Sequence, residues 1–149
     1  MFLVMELPAE DVQSYPRPPA LQTVPQAIRV TLGDVVVAHS MAALRVLETH
    51  HAPTYYIPLE DVQAELTAAA GGSFCEWKGR AQFWNVAAGG SMVQAAAWSY
   101  PAPSARFAAL KDHIAIYAGK MQACFVGSVQ VVPQPGDFYG GWVTPNLQG

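Results

Sequence analysis

Apolar and polar residues alternate early in the chain with the period of two that is typical of a half-buried β-strand. Every second residue of the segment 28–32 is aliphatic, and Gly33 and Asp34 then lead into three consecutive valines at 35–37. Glycine followed by aspartate favours a tight turn. This pattern predicts a β-hairpin.

The same signals predict further strands along the chain. Gly89 and Gly90 separate two segments rich in apolar and aromatic residues, which predicts a second hairpin. The predicted strands lie in residues 41–47, 54–57, 74–88, 92–100, 113–117, 121–126 and 129–132. The first of these segments is also compatible with a short helix.

Two short helices are predicted between the strands. Pro58 stands where the first turn of a helix tolerates proline, acidic residues follow it, and three apolar residues of the segment 58–66 fall on one helical face. This helix would end at Gly71. A second helix is expected after Ser104, which is a favourable N-cap residue, and runs through residue 111.

The predicted turns are short, whereas parallel strands need long crossover connections. We therefore predict a mainly β fold of about six to eight antiparallel strands, as a barrel or as two packed sheets with two short helices. The twelve glycines and twelve prolines favour the same class, because both residue types break helices.

The chain of 149 residues has the size of one domain. Five prolines and little periodicity predict an extended arm over residues 1–25. A β-rich domain is expected over residues 26–132. Residues 133–149, in which glycine, proline and aromatic residues follow one another, are expected to form a tail.

The charge and hydropathy of the chain restrict the kinds of partner that we expect it to bind. Eight basic and eleven acidic residues give a net charge of -3 without a cluster of cations, so we expect no nucleic acid partner. The apolar stretch at the N-terminus is too short for a signal peptide, and no later stretch reaches the roughly 18 apolar residues of a membrane helix. We expect no membrane partner and a cytoplasmic location.

Cys75 and Cys124 are the only cysteines, and they lie far apart in the sequence. In a reducing compartment both would stay as free thiols. Together with four scattered histidines they provide no spacing that is typical of a metal site. We predict no metal and no cofactor.

Three motifs resemble those of the domain-of-unknown-function 427 family. They are Tyr-Tyr-Ile-Pro at 55–58 followed by Asp61-Val62, Cys-Glu-Trp-Lys-Gly at 75–79 followed by the aromatic pair at 83–84, and Ala-Trp-Ser-Tyr-Pro at 97–101. The motifs follow the family's order, and the resemblance covers about residues 26–127. The tail segment 140–147 is similar to an extension found in one branch of the family.

The resemblance implies a small β-rich domain without a characterised activity, although the family is also labelled a nucleotidyltransferase domain. Nucleotidyl transfer needs carboxylates gathered on Mg²⁺ and a cradle for the phosphates. The sequence contains no paired aspartate motif, and a hairpin turn explains Gly89-Gly90-Ser91 better than a phosphate loop does. We therefore do not assign nucleotidyl transfer.

Cys75 and Lys78 are candidate catalytic residues. A cation near a thiol favours the thiolate, which is the reactive form. The alternative is that Cys75 is only a small buried apolar residue, which packs between Phe74 and Trp77. Lys78 is either an anchor for an anionic ligand or a turn residue that points to solvent.

Asp61 is a third candidate catalytic residue, because its carboxylate would be the counter-charge of Lys78. The alternative is that Asp61 is a structural acid in the first turn of a helix. The candidate ligand-binding residues are Tyr55, Tyr56, Trp77, Trp98 and Tyr100. Neighbouring residues of a strand point to opposite faces, so only one of the two adjacent tyrosines can line a pocket. The same aromatic residues would also make an ordinary core.

These residues predict a protein whose aromatic-lined pocket binds a small polar or anionic metabolite. A metal-independent enzyme that uses Cys75 and Lys78 is compatible with this pocket. His51 is either an acid–base group or, more simply, a solvated loop residue. The alternative function is a homodimeric interaction module whose arm or tail crosses to the other subunit, since these segments have no core of their own.

Overall fold

A computed structural model describes residues 7–136 and 140–149, so residues 1–6 of the predicted arm and 137–139 of the predicted tail lie outside the described part. The strands are β1 Glu10–Asp11, β2 Ala20–Thr23, β3 Ile28–Leu32, β4 Val35–Ser40, β5 Leu44–Leu47, β6 Thr54–Pro58, β7 Glu65–Cys75, β8 Gly79–Ala88, β9 Ser91–Ser99, β10 His113–Ile116, β11 Ala123–Val126, β12 Val129–Gln130, β13 Val132–Pro133, β14 Trp142–Val143 and β15 Leu147–Gln148. Short 3-10 helices span Val12–Ser14, Leu59–Asp61, Ala105–Leu110 and Ala118–Lys120.

The described strands form two main sheets. A seven-stranded sheet has the order β2-β5-β6-β10-β9-β8-β7, and a four-stranded sheet has the order β12-β11-β3-β4. Every neighbouring pair in these two sheets is antiparallel, whereas the separate pair of β1 and β15 is parallel. The mainly β class and the antiparallel pairing that the sequence predicts are confirmed.

The first predicted hairpin is formed by β3 and β4. Ile28 and Val30 are fully buried, while Arg29 between them is exposed, as the alternation requires. Gly33 and Asp34 make the turn with φ angles of 58° and 64°. Glycine reaches this left-handed region freely, and aspartate reaches it more readily than most other residues.

The second predicted hairpin, β8 with β9, also turns where expected, at Gly89–Gly90. Gly89 lies directly against the turn of the first hairpin, because a Cβ at this position would stand 2.3 Å from the carbonyl oxygen of Gly33. The two turns therefore touch through their backbones, and each belongs to a different sheet.

The helix predicted from Pro58 to Leu66 is wrong beyond its first turn. After the Leu59–Asp61 turn the chain enters β7, in which Leu66 pairs with Val86 of β8. This ladder outweighs the weak local preference of these residues for a helix. Strand β7 also continues through Gly71, with a shift of register between Ala68 and Gly72.

The second predicted helix is a 3-10 segment, Ala105–Leu110, with a non-helical residue at Phe107. Phe107 and Leu110 are fully buried in the cluster on one face of the seven-stranded sheet. None of the helices in the described part of the chain has the length and apolar character needed to cross a membrane.

The two faces of the seven-stranded sheet belong to different clusters of buried side chains. The inner face packs against the four-stranded sheet and contributes Tyr55, Ile57 and Ile114 to the larger cluster. The outer face contributes Tyr56 and Ala115 to the smaller cluster around Phe107. Adjacent residues of a strand thus point to opposite faces of the sheet, and the outer face carries a cavity.

The described parts of the arm and of the tail pack on their own chain. The Glu10 N–H in β1 donates to the carbonyl oxygen of Asn146 at 3.0 Å, beside the β15 pairing. Trp142 is 1% exposed, and its indole N–H donates to the carbonyl oxygen of Ile116 at 2.9 Å. The Trp142 ring of the tail is therefore covered within the chain.

Candidate functional site

A cavity of about 400 Å³ opens on the outer face of the seven-stranded sheet. Strand alternation directs Tyr56 of β6 and Trp98 of β9 into it, and Tyr100 follows directly after β9. The aromatic lining residues are Tyr56, Phe74, Trp77, Phe83, Trp98, Tyr100 and Tyr117. The lining also includes the carboxylates Glu48 and Glu76, so the cavity combines an aromatic surface with charged groups.

Three aromatic residues lie together in this wall. The Tyr56 ring lies 6.4 Å from the Trp98 ring and 6.3 Å from the Tyr100 ring, between centroids. A phenol hydroxyl can both donate and accept a hydrogen bond. The two tyrosines therefore add polar groups to an aromatic surface.

Both tyrosine hydroxyls keep their protons at neutral pH. Burial raises the pKa of Tyr56 well above its ordinary value, and burial also raises the pKa of Tyr100. A protonated phenol can donate a hydrogen bond to an anion. These two phenols thus present hydrogen-bond donors rather than negative charges.

Among the described residues, Lys78 is the only charged residue that is buried, and 8% of its surface is exposed. Its Nζ atom lies 5.8 Å from the ring centroids of Tyr100 and Phe107. No carboxylate of the described residues forms an ion pair with it. Burial of a charge without a partner is unfavourable, so Lys78 is an unusual feature of this site.

Two hydrogen bonds from Ser104 fix the turn that carries Lys78. The Ser104 hydroxyl donates to the carbonyl oxygen of Trp77 at 2.6 Å, and the Ser104 N–H donates to that of Lys78 at 3.0 Å. Gly79 completes the turn with a φ of 109°. Ser104, expected as a helix cap, is therefore a residue that positions the Lys78 turn.

The two cysteines lie in different surroundings. Cys75 is half-buried at the end of β7 and lines the cavity, next to the turn that carries Lys78. Cys124 is buried in the larger cluster, and burial raises the pKa of its thiol to about 12. Only Cys75 is therefore open to a molecule in this cavity.

His51 and Glu48 lie at another part of the cavity wall. Burial lowers the pKa of His51, so its imidazole is neutral at neutral pH and can accept a proton. Gln134 holds this loop, because its Oε1 accepts the Ala52 N–H at 2.9 Å. His51 lies in this loop with its side chain partly exposed.

A second cavity of about 340 Å³ is lined by Arg45 and Tyr55, on the opposite face of β6. Arg45 donates to both carboxylate oxygens of Glu10, at 3.0 and 3.1 Å, and to Gln22 at 2.7 Å. Its charge is thus already paired, in contrast to the charge of Lys78.

Of the eight site residues that the sequence predicts, six line the first cavity: Tyr56, Cys75, Trp77, Lys78, Trp98 and Tyr100. Tyr55 lies on the other face of β6 and stacks on Trp142, with ring centroids 5.1 Å apart. Asp61 accepts a hydrogen bond from the Ser40 hydroxyl at 2.6 Å, because its 3-10 turn ends beside β4. The expected pairing of Asp61 with Lys78 is therefore wrong.

Residues 20–127 match the family described as "Domain of unknown function (DUF427)". The chain belongs to the DUF427 family. No curated protein matches its sequence. In this DUF427 domain, each of the three motifs that carry the resemblance supplies at least one residue to the same cavity: Tyr56 from the first, Cys75 and Lys78 from the second, and Trp98 and Tyr100 from the third.

Sequence reasoning did not assign Tyr117 or Ser104 to the DUF427 site. Tyr117 lies 4.5 Å from Trp98 between ring centroids, but nothing in the predicted strand 113–117 distinguishes it from a core tyrosine. Ser104 was recognised only as a cap. His51 was noticed as a titratable residue, but its place in a loop gave no sign that Gln134 would fold that loop against the cavity.

Proposed function

We propose that this DUF427 domain binds a small anionic metabolite with a planar or apolar body, and that Lys78 is its anchor. The observation that carries this proposal is the Lys78 side chain, because the residue is only 8% exposed and its ammonium group has no carboxylate partner among the described residues. A carboxylate or phosphate group on a ligand would supply the missing counter-charge.

The energetic argument concerns the cost of burying a charge. An unpaired buried charge destabilises the folded state by several kcal/mol. A ligand anion offsets this penalty through a charge-assisted hydrogen bond, and the phenol hydroxyls of Tyr56 and Tyr100 can add further donors. An anionic ligand is therefore favoured over a neutral or cationic one.

The aromatic walls favour the body of the ligand. The cavity volume of about 400 Å³ falls within the range of small-molecule sites, which is roughly 300–1,000 Å³. Trp98, Tyr100 and Tyr117 offer ring faces on which a planar group can stack. We also infer a cytosolic location, because a reducing compartment keeps the thiols of Cys75 and Cys124 free.

Calorimetric titration with benzoate, phenyl phosphate and benzamide tests this proposal. We expect binding of at least one anion, no binding of neutral benzamide, and weakening by about tenfold or more in Lys78→Met, which corresponds to about 1.4 kcal/mol. The anion that binds distinguishes a carboxylate from a phosphate ligand. Lys111→Met is the matched control, because Lys111 is exposed and lies outside the cavity.

Equal binding of benzamide and benzoate, or equal affinity in wild type and Lys78→Met, would contradict the anchor role. Failure of all three compounds to bind would remove the proposed function in this form. Far-ultraviolet circular dichroism of both variants checks that their fold is unchanged.

A homodimeric interaction module is the second candidate function. Strand β7 forms one edge of the seven-stranded sheet, and Phe74 on this strand is 70% exposed. An exposed edge strand favours pairing with a second copy, which would continue the sheet. Light scattering at high concentration would show a dimer that Phe74→Glu dissociates, and a monomer at all concentrations argues against this candidate.

A further inference from the structure

We propose that Cys75 is the nucleophile of an acyl-transfer reaction whose donor is an ester or thioester with an anionic group on its acyl part. This inference rests on the proposed function, because Lys78 must hold the anionic group. It adds a reaction and a substrate class to what would otherwise be a binding site.

The first support is the placement of the thiol beside the anchor. Cys75 pairs with Gly79 across the β7–β8 hairpin, so Cys75 and Lys78 stand on the two sides of one short turn. Both line the same cavity. The two hydrogen bonds from Ser104 fix this turn, so a ligand anion at Lys78 would be held close to the sulfur of Cys75.

The second support is the unpaired charge itself. Lys78 is more than nine-tenths buried and still lines the cavity, which points to an anionic occupant independently of the cysteine. A thiol alone would be no reason to assign a reaction, because most free cysteines only fill space. Here the thiol shares a cavity with a group that selects and orients a ligand.

The third support is a hydrogen-bond donor for the charge that develops in acyl transfer. When a nucleophile adds to a carbonyl carbon, negative charge collects on the carbonyl oxygen, and fixed donors at that oxygen lower the barrier. The phenol hydroxyls of Tyr56 and Tyr100 are groups of this kind. Cys75 lines the same cavity as both tyrosines.

In the proposed step the sulfur of Cys75 attacks the carbonyl carbon of the donor and forms a carbon–sulfur bond. The bond from that carbon to the leaving oxygen or sulfur breaks, and the thiol proton passes to the leaving alcohol or thiol. Water then hydrolyses the acyl–Cys75 thioester, which releases a carboxylic acid and restores the thiol. Each cycle consumes one water molecule and transfers no electrons.

The test uses the full chain with 4-nitrophenyl hemisuccinate, an anionic ester, and with neutral 4-nitrophenyl acetate. We expect release of 4-nitrophenolate and a single succinyl group on the peptide that contains Cys75, identified by mass spectrometry after acid quenching. Cys124→Ser is expected to retain this adduct, whereas Cys75→Ser and Cys75→Ala lose it.

The ratio of the two rates reports the role of Lys78. Relative to free N-acetylcysteine, the protein is expected to favour the anionic ester by about tenfold or more, and Lys78→Met is expected to remove that preference. An adduct on Cys75 without this preference would reflect ordinary thiol reactivity and would overturn the inference.

Calorimetry with benzoate separates this inference from the function on which it rests. If wild type and Cys75→Ala bind benzoate but no succinyl adduct forms on Cys75, the acyl-transfer reaction is wrong and the binding function stands. If benzoate and phenyl phosphate both fail to bind and no adduct forms, both proposals fail.

Discussion

The two thiols lead to the first prediction. Cys75 is half-buried at the cavity, whereas Cys124 is buried in the core with a thiol pKa raised to about 12. Since the thiolate is the form that reacts, iodoacetamide near neutral pH is expected to label Cys75 at least about tenfold faster than Cys124. Peptide mass spectrometry over time measures both rates.

Unfolded protein is the control for this experiment, because in urea both cysteines are exposed and their rates should become similar. Faster labelling of Cys124 in the folded protein would contradict the placement of both residues.

Lys78 leads to a prediction on stability. The residue is buried and its charge has no carboxylate partner in the described part of the chain, so Lys78→Met replaces an unfavourable charge by an apolar side chain of similar length. We expect the free energy of unfolding to rise by about 1 kcal/mol or more in the absence of ligand. Urea unfolding of wild type, Lys78→Met and the exposed control Lys111→Met measures it, and a loss of stability in Lys78→Met alone would argue against an unpaired charge.

At the level of elements, the pattern of apolar residues predicted strands where one face is buried and the other is not, as in β3. It failed for β7, because its run of alanines and glycines has no alternation. That strand depends on its pairing with β8, a contact distant in sequence. The pattern also missed the path of the chain after Asp61, which is set by the bridge between Ala38 and Val62.

The candidate site could likewise be predicted only where strand geometry determines the contacts. Trp98 and Tyr100 could be placed together because strand geometry determines their common face. The contacts of Ser104, His51 and Tyr117 depend on how loops fold back onto the sheet, and short sequence patterns do not determine such contacts.

The contact between the two hairpin turns gives a prediction with an internal control. Gly89 and Gly90 both have positive φ, but a Cβ on Gly89 would stand 2.3 Å from the Gly33 oxygen, whereas a Cβ on Gly90 meets nothing within 4 Å. Gly90→Ala therefore adds only backbone strain, about 1–2 kcal/mol. Gly89→Ala adds a clash as well, and we expect it to cost at least about 2 kcal/mol more.

Urea unfolding of the two alanine variants measures this difference. Equal destabilisation by both substitutions would show that the two turns do not press on each other.

For the molecule as a whole, the buried tyrosine hydroxyls and the buried thiol predict a loss of stability in alkaline solution. Burial raises the pKa of Tyr55, Tyr56, Tyr100 and Cys124. Above a pH of about 9 for the thiol and about 10 for the phenols, the unfolded chain loses protons that the folded chain retains. Stability therefore falls as pH rises, by up to about 1.4 kcal/mol per pH unit for each such group.

Urea midpoints measured from about pH 8 to pH 11 test this dependence, with tyrosinate absorbance recorded on the same samples. We expect tyrosinate absorbance to rise together with unfolding. Cys124→Val should reduce the slope at the lower end of this range, where only the thiol ionises. A flat stability profile would contradict the burial of these groups.

The parallel pair of β1 and β15 also affects how the molecule opens locally. Neither strand has another partner in the described chain, so if one leaves, the other loses its ladder. The β1 and β15 segments are therefore expected to form one cooperative unit, whose amide hydrogens exchange with solvent together and before those of the two main sheets.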